Sequence, residues 1–234
     1  MAFDSTAKRA SVAVCDGEKL IGEFNIDNGL TQSELLLPMA EDLLRGLKLN
    51  FSDIELYATS VGPGSFTGVR IGTALIKGLA FMKDIPCSAV STLEALAENL
   101  SGLSGILVPC MDARRNETYA AIFEGKDGNI RRLSEDMALS ITSLAKMLKE
   151  YESEKIYLAG DGYEPVKAGL AKMGIVVSDT PTLLRGQSAY SVARVAKRKY
   201  DAGEYTSDTE LKPTYLRVPQ AEREILERLN KGDL

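Results

Sequence analysis

Gly62-Pro63-Gly64-Ser65-Phe66-Thr67-Gly68-Val69-Arg70-Ile71-Gly72 joins two apolar runs of different period. Before it, Ile54-Glu55-Leu56-Tyr57-Ala58-Thr59-Ser60-Val61 reads as a strand. After it, an apolar run with helical spacing continues to Lys83. A glycine-rich turn from strand to helix is where phosphates often bind, because backbone N–H groups at the helix start point at the ligand. Gly62, Gly64 and Ser65 could serve an anion in that way. The Walker spacing is missing, since Gly68-Val69-Arg70 stands where Gly-Lys-Ser/Thr is required. Ser65 is more simply an N-cap, and the turn a packing device.

Working outward, the first half reads as strands at Met1–Ser5, Ala10–Cys15 and Lys19–Ile26. A helix follows from Thr31. Thr31-Gln32-Ser33-Glu34 is a capping box, and Leu36, Ala40, Leu43 and Leu47 recur on one face. Pro38 is expected to bend that helix. Then come a strand near Glu55–Ser60, the glycine turn, a helix over Phe66–Lys83, a strand at Cys87–Val90 and a helix at Leu93–Asn99, an order of βββαβαβα. The second half repeats this order without repeating the letters. Strands are expected at Ile106–Met111, Glu117–Phe123 and Ile130–Leu133, then helix Ser140–Tyr151 and strand Lys155–Ala159. Gly160-Asp161-Gly162 turns into helix Glu164–Met173, followed by strand Ile175–Val177 and helix Ser188–Ala202. Short turns imply an antiparallel meander, and the βα units imply parallel additions. Each half is therefore expected to be a mixed five-stranded sheet flanked by helices, with a cleft between the halves. The boundaries are 1–102 for the N-terminal lobe, 103–210 for the C-terminal lobe and 211–234 for a tail and helix.

Bulk properties exclude several classes. A chain of 234 residues accommodates two lobes of roughly 100 residues each. The net charge of −5 offers no general attraction to nucleic acid or anionic membrane. No apolar run reaches the ~18 residues of a membrane span. Met1-Ala2-Phe3-Asp4 has no signal-peptide pattern. Cys15, Cys87 and Cys110 read as buried free thiols of a reducing cytoplasm. The absence of histidine removes serine and cysteine triads and histidine metal sites, and makes a metallopeptidase a very weak reading. Catalysis would have to use carboxylates, lysine, backbone amides or magnesium.

Two such halves with Asp4-Ser5-Thr6 at the first strand end resemble the actin, sugar-kinase and Hsp70 superfamily. The resemblance narrows with Ser33-Glu34-Leu35-Leu36-Leu37-Pro38, the Gly62–Gly72 turn and Ser91-Thr92-Leu93-Glu94-Ala95-Leu96. Met111-Asp112-Ala113-Arg114-Arg115 with Glu117 and Tyr119, and Tyr215-Leu216-Arg217, complete the pattern. Together, in this order, they look like the bacterial TsaB (YeaZ) family. That resemblance implies a non-catalytic partner of TsaD in making N6-threonylcarbamoyladenosine at position 37 of tRNA, with a TsaE ATPase completing the complex. It implies no cofactor for this chain, with ATP or ADP and magnesium entering only within the complex. TsaB-like chains usually carry a few apolar residues before the Asp-Ser-Thr, whereas only Met1-Ala2-Phe3 precede it here. The first strand is expected to be short, with a truncated start left open.

The helix after the glycine turn has few polar positions. Arg70, Thr73 and Lys77 form one narrow stripe, and Gly68, Gly72 and Gly78 allow close backbone approach. So broad an apolar surface needs cover beyond its own sheet. The cover is either a partner (a second copy or a paralogue with the same face) or the chain's own second lobe or tail. The resemblance favours a TsaD-like partner or a homodimer, with Leu36, Ala40, Leu43, Gly68, Arg70, Gly72, Thr73 and Lys77 as the interface. It also implies that Asp4, Ser5, Thr6, Gly62, Gly64 and Ser65 are a vestigial nucleotide or phosphate site. The rival from another class is an ATP-using small-molecule kinase or ATPase, with Asp4 and Asp161 holding magnesium water across the cleft. As isolated carboxylates in turns, both are more often local caps. Arg131-Arg132 and Lys197-Arg198-Lys199 read as solvated surface, with a small tRNA contact as the alternative, and Arg114 or Arg115 could pair with Glu117.

Overall fold

The computed structural model describes residues 1–81 and 83–217. The first half has the expected order: β1 (Ala2–Asp4), β2 (Ala10–Asp16), β3 (Lys19–Ile26), α1 (Gln32–Leu47), β4 (Tyr57–Ser60), α2 (Phe66–Ala80), β5 (Cys87–Val90) and α3 (Thr92–Asn99). Its five strands lie in the order β3-β2-β1-β4-β5. β1, β2 and β3 pair antiparallel through short turns, and β4 and β5 add parallel to β1. β1 is three residues long. At the start of α1 the Glu34 carboxylate accepts from both the Thr31 amide at 3.0 Å and the Thr31 hydroxyl at 2.6 Å. α1 runs on through Pro38, which sits on its exposed side. α2 begins under Ser65, whose hydroxyl accepts from Gly68 N–H at 3.2 Å, and it ends at Ala80, short of the expected Lys83.

The second half corrects the expected repeat. Its elements are β6 (Gly105–Asp112), β7 (Glu117–Ala120), β8 (Phe123–Lys126), β9 (Asn129–Arg132), β10 (Met137–Ser140), α4 (Ile141–Leu148), β11 (Ile156–Ala159), α5 (Tyr163–Lys172), α6 (Thr182–Arg185) and α7 (Ala189–Asp201). The sheet has six strands instead of five, in the order β10-β7-β6-β8-β9 with β11 also on β6. The extra strands are interruptions of two longer ones. β7 and β8 pair with β6 in one continuous register, Cys110 opposite Ala120 and Leu107 opposite Phe123. The break at Ala121–Ile122 faces Pro109, which has no N–H with which to continue the ladder. β9 and β10 are separated where the Ile122 carbonyl accepts from both Leu133 and Ser134. β11 joins β6 in parallel, as β4 joins β1.

The expected strand at Ile175–Val177 does not form, and the chain there touches the sheet through Ser178 N–H to the Ile156 carbonyl at 2.8 Å. The helix expected to close the second repeat, α7, packs instead on the first sheet. Ala189, Val192, Val195 and Ala196 meet Ala2, Ala13, Ala58 and Val90 in one cluster. The first sheet thus carries α1 and α2 on one face and α7 on the other. α3 lies between the sheets, where Leu93, Leu96 and Leu100 pack with Leu107, Met111 and Phe123. The two-lobed α/β class stands. The lobes share a core through α3, while α4 and α5 cover the far face of the second sheet. The tail and helix expected over 211–234 fall outside the described residues beyond Arg217. Among the described residues, no helix is long and apolar enough to cross a membrane.

Candidate functional site

A cavity of about 910 Å³ opens between the lobes. One wall is the β1–β2 turn at Thr6–Lys8 with the glycine turn and the start of α2. The facing wall is Asp112–Arg114 with Asp161. The third side is Thr214–Arg217. Burial pushes the Asp161 carboxyl upward, and the Asp112 charge adds to that, against the Asp112 amide that it accepts at 3.0 Å and the Lys8 charge.

Asp4 does not line this cavity. Its carboxylate is buried, and its hydrogen bonds are internal. Oδ1 accepts the Thr6 amide at 2.9 Å and the Thr6 hydroxyl at 2.7 Å, and Oδ2 accepts the Ser60 hydroxyl at 2.6 Å. Ser5 is also turned inward, donating to the Gly68 carbonyl at 2.8 Å. In the glycine turn, Ser65 N–H donates to the Thr6 carbonyl at 2.7 Å, the Gly62 carbonyl accepts from Thr92, and the Gly62–Pro63 peptide is cis. Gly62, at φ 115°, leaves room for the Thr214 carbonyl, which a Cβ there would meet at 2.5 Å. The glycine turn is thus bonded to the chain after the first strand and to the C-terminal segment at the place expected for a phosphate. Among the described residues, no group of three or more His, Cys, Asp or Glu is placed to hold a metal ion.

The residues expected at a partner interface divide in two. Leu36, Ala40 and Leu43 are core, packed with Phe3, Val12 and Tyr57. Gly68, Gly72 and Thr73 are buried too. A methyl group at Gly68 would collide with the Ser5 carbonyl oxygen, and one at Gly72 would meet Ser5 Oγ at 2.6 Å. These glycines thin α2 toward its own sheet, while Gly78 faces open space. Arg70 and Lys77 lie outside, but the chain's own C-terminal segment engages both. Arg70 stacks on the Phe66 ring at 3.8 Å and donates Nε to the Tyr215 hydroxyl at 2.9 Å, and Lys77 Nζ donates to the Thr209 and Leu211 carbonyls at 3.2 Å. The exposed residues of α1 and α2 include Leu37, Pro38, Glu41, Asp42, Thr67, Arg70, Ala74 and Gly78, and Phe81, just past the end of α2, is 63% exposed.

The basic spots are internally paired. Arg131 meets Glu124, Arg132 meets Asp136 and Glu94, Lys197 meets Asp201, Arg198 meets Glu98, and Lys199 meets Glu94. Glu117 pairs with Arg217, one hundred residues away. Cys87 and Cys110 are buried and Cys15 half-buried, all three free. Burial pushes each thiol upward, that of Cys87 to about 11.

The family model described as TsaD, tRNA N6-adenosine threonylcarbamoyltransferase, matches residues 31–220. The tRNA threonylcarbamoyladenosine biosynthesis protein TsaB of Bacillus subtilis (strain 168) is 32% identical over 161 residues, 69% of this chain and 70% of that protein. The chain belongs to the TsaB family. The TsaB of Escherichia coli (strain K12) is 27% identical over 219 residues, 93% of this chain and 94% of that protein. YeaZ from Pseudomonas aeruginosa shares the fold at a TM-score of 0.75 and 24% identity, covering 92% of this chain and 98% of its own. In this TsaB-family chain the glycine turn, Asp112–Arg114, Asp161 and Thr214–Arg217 lie within the stretch matched by the TsaD model, while the Thr6–Lys8 wall precedes it.

Proposed function

We propose that this chain is a non-catalytic subunit of tRNA N6-threonylcarbamoyladenosine synthesis, acting by binding and supporting a TsaD-like transferase. The names of its TsaB relatives support the pathway. The observation that carries the non-catalytic part is Asp4. Three hydrogen bonds from Thr6 and Ser60 hold it internally, so the acidic residue that would face phosphate and metal in an ATP-using relative is a structural bracket here. An ATP-dependent kinase is the reading this disfavours. Calorimetry with ATP and magnesium separates the two, a flat trace without turnover supporting the subunit.

Docking is assigned to the outer surface of α1 and α2, around Leu37, Ala74 and Phe81. An exposed Leu on α1 and an exposed Phe just past α2, beside the open Gly78, suit a helix-on-helix contact, with a TsaD-like paralogue or with a second copy through the same face. A TsaE-like ATPase completes the assembly, and tRNA is substrate of the complex. Leu37→Glu with Phe81→Glu abolishes co-purification with TsaD while circular dichroism stays native, because neither side chain is core. Retained co-purification would sink the docking face. Pathway membership has its own test. Depletion of a native TsaB is complemented by this chain, with threonylcarbamoyladenosine in bulk tRNA restored by mass spectrometry.

A further inference from the structure

The C-terminal segment crosses from one lobe to the other along α2, and its attachments differ in kind. At its start, Thr206 and Cys87 exchange two backbone bonds at 2.8 Å. Leu211 is buried in the first-lobe core, and Lys77 Nζ donates to the Thr209 and Leu211 carbonyls. Thr214 N–H donates to the Val61 carbonyl at 2.8 Å. Up to this point the segment is fastened by backbone bonds and apolar burial. Beyond it the attachment changes to side chains alone. Tyr215 lies 4.9 Å from the Phe66 ring and accepts from Arg70. Arg217 reaches the second lobe and forms a two-pronged pair with Glu117 on β7, one prong at 2.8 Å. Tyr215, Leu216 and Arg217 are also the third side of the interlobe cavity.

We propose that residues 215–217 are a latched wall of the cavity. The wall is hinged at Thr214 and closed onto the second lobe by the Arg217–Glu117 pair, with the Phe66–Tyr215–Arg70 stack as a second catch. Both catches are partly solvent-exposed, with Arg217 and Glu117 at 18% and 33% of their side-chain area. A pair that keeps part of its surface in water is weakened by salt. The backbone anchor up to Thr214 does not depend on charge. Screening or removing the ion pair therefore frees Leu216 and Arg217 from the second lobe without unfolding either lobe, leaves Tyr215 on its stack, and widens access to the face formed by Thr6–Lys8 and Asp161. This inference does not depend on the partner assigned above.

The chain has no tryptophan, so Leu216→Trp places a single reporter in the wall. Acrylamide quenching of that reporter is expected to rise at least threefold in Arg217→Gln and in Glu117→Gln, with far-UV circular dichroism unchanged. It is expected to rise with sodium chloride in the Leu216→Trp chain and to lose that salt dependence once either charge is removed. Hydrogen exchange by mass spectrometry in the chain without the reporter gives the second measurement. Peptides covering 215–217 exchange faster in Arg217→Gln, while those covering 206–211 are unchanged. Quenching that is insensitive to salt and to both substitutions would overturn the latch, and so would exchange rising equally along the whole segment, which would make the pair a general fastening.

Discussion

Asp4 shows how a residue that looks chemical can be structural. Burial pushes its carboxyl above the usual range, while the bonds from Ser60 and Thr6 act in the opposite direction. A carboxyl whose folded pKa lies above its unfolded value of 3.8 stabilises the fold fully below that value, and the contribution is lost as pH rises through the folded pKa. Asp4→Asn removes this term, so its stability relative to the natural chain improves from acid toward neutral pH, read from urea midpoints. Asp4→Ala loses about 1–3 kcal/mol throughout, because the Thr6 amide and Ser60 hydroxyl are left unpaired. The cysteines belong to the same scale. With Cys87 and Cys110 buried, Cys15 half-buried and all three thiols pushed upward, labelling by a thiol reagent at mildly alkaline pH is slow in the folded chain and reaches three equivalents in denaturant. Three fast-reacting thiols before denaturation would contradict the burial.

At the scale of the element, α2 sets two glycines in opposition. Gly68 presses on the Ser5 carbonyl, and Gly78 faces solvent. Gly68→Ala gains about 1 kcal/mol of helix propensity but forces backbone apart, for a net loss of about 1–3 kcal/mol. Gly78→Ala has nothing to meet and gains about 0.5–1 kcal/mol. Thermal melts of the two variants should move in opposite directions. From sequence, both glycines read alike as sites of close approach to a partner. The apolar period of α1 and α2 was legible, and so were Ser65 as cap and Glu34 as its counterpart on α1. Which glycine touches what was not, because close approach is a property of two elements and the letters describe one. The same limit explains Glu117–Phe123, read as one strand. Its interruption is caused by Pro109 on the neighbouring strand.

For the whole molecule, Glu98 joins what the repeat reading had separated. It is 2% exposed on α3, with Arg194 at 2.7 Å and Arg198 at 2.6 Å reaching it from α7. Glu98→Ala strands two cations beside a core and is expected to lower stability by about 1–3 kcal/mol, less than a fully buried pair because both arginines are partly exposed. Glu98→Gln keeps one or two of the bonds and loses less, and chemical denaturation of the pair of variants measures the difference. The period and punctuation of the chain by themselves determined two lobes, their strand-first order, and the lack of histidine chemistry. These depend on local repeat and on composition, which any reader of the letters can count. The tertiary structure alone decided that α7 returns to the first sheet and that Asp4 is bracketed by Ser60. It alone decided that Leu36 and Leu43 are core while Leu37 is surface, and that Arg217 closes onto Glu117. Each of these rests on contacts between residues dozens to more than a hundred positions apart, where burial and geometry, not sequence neighbourhood, select the partner.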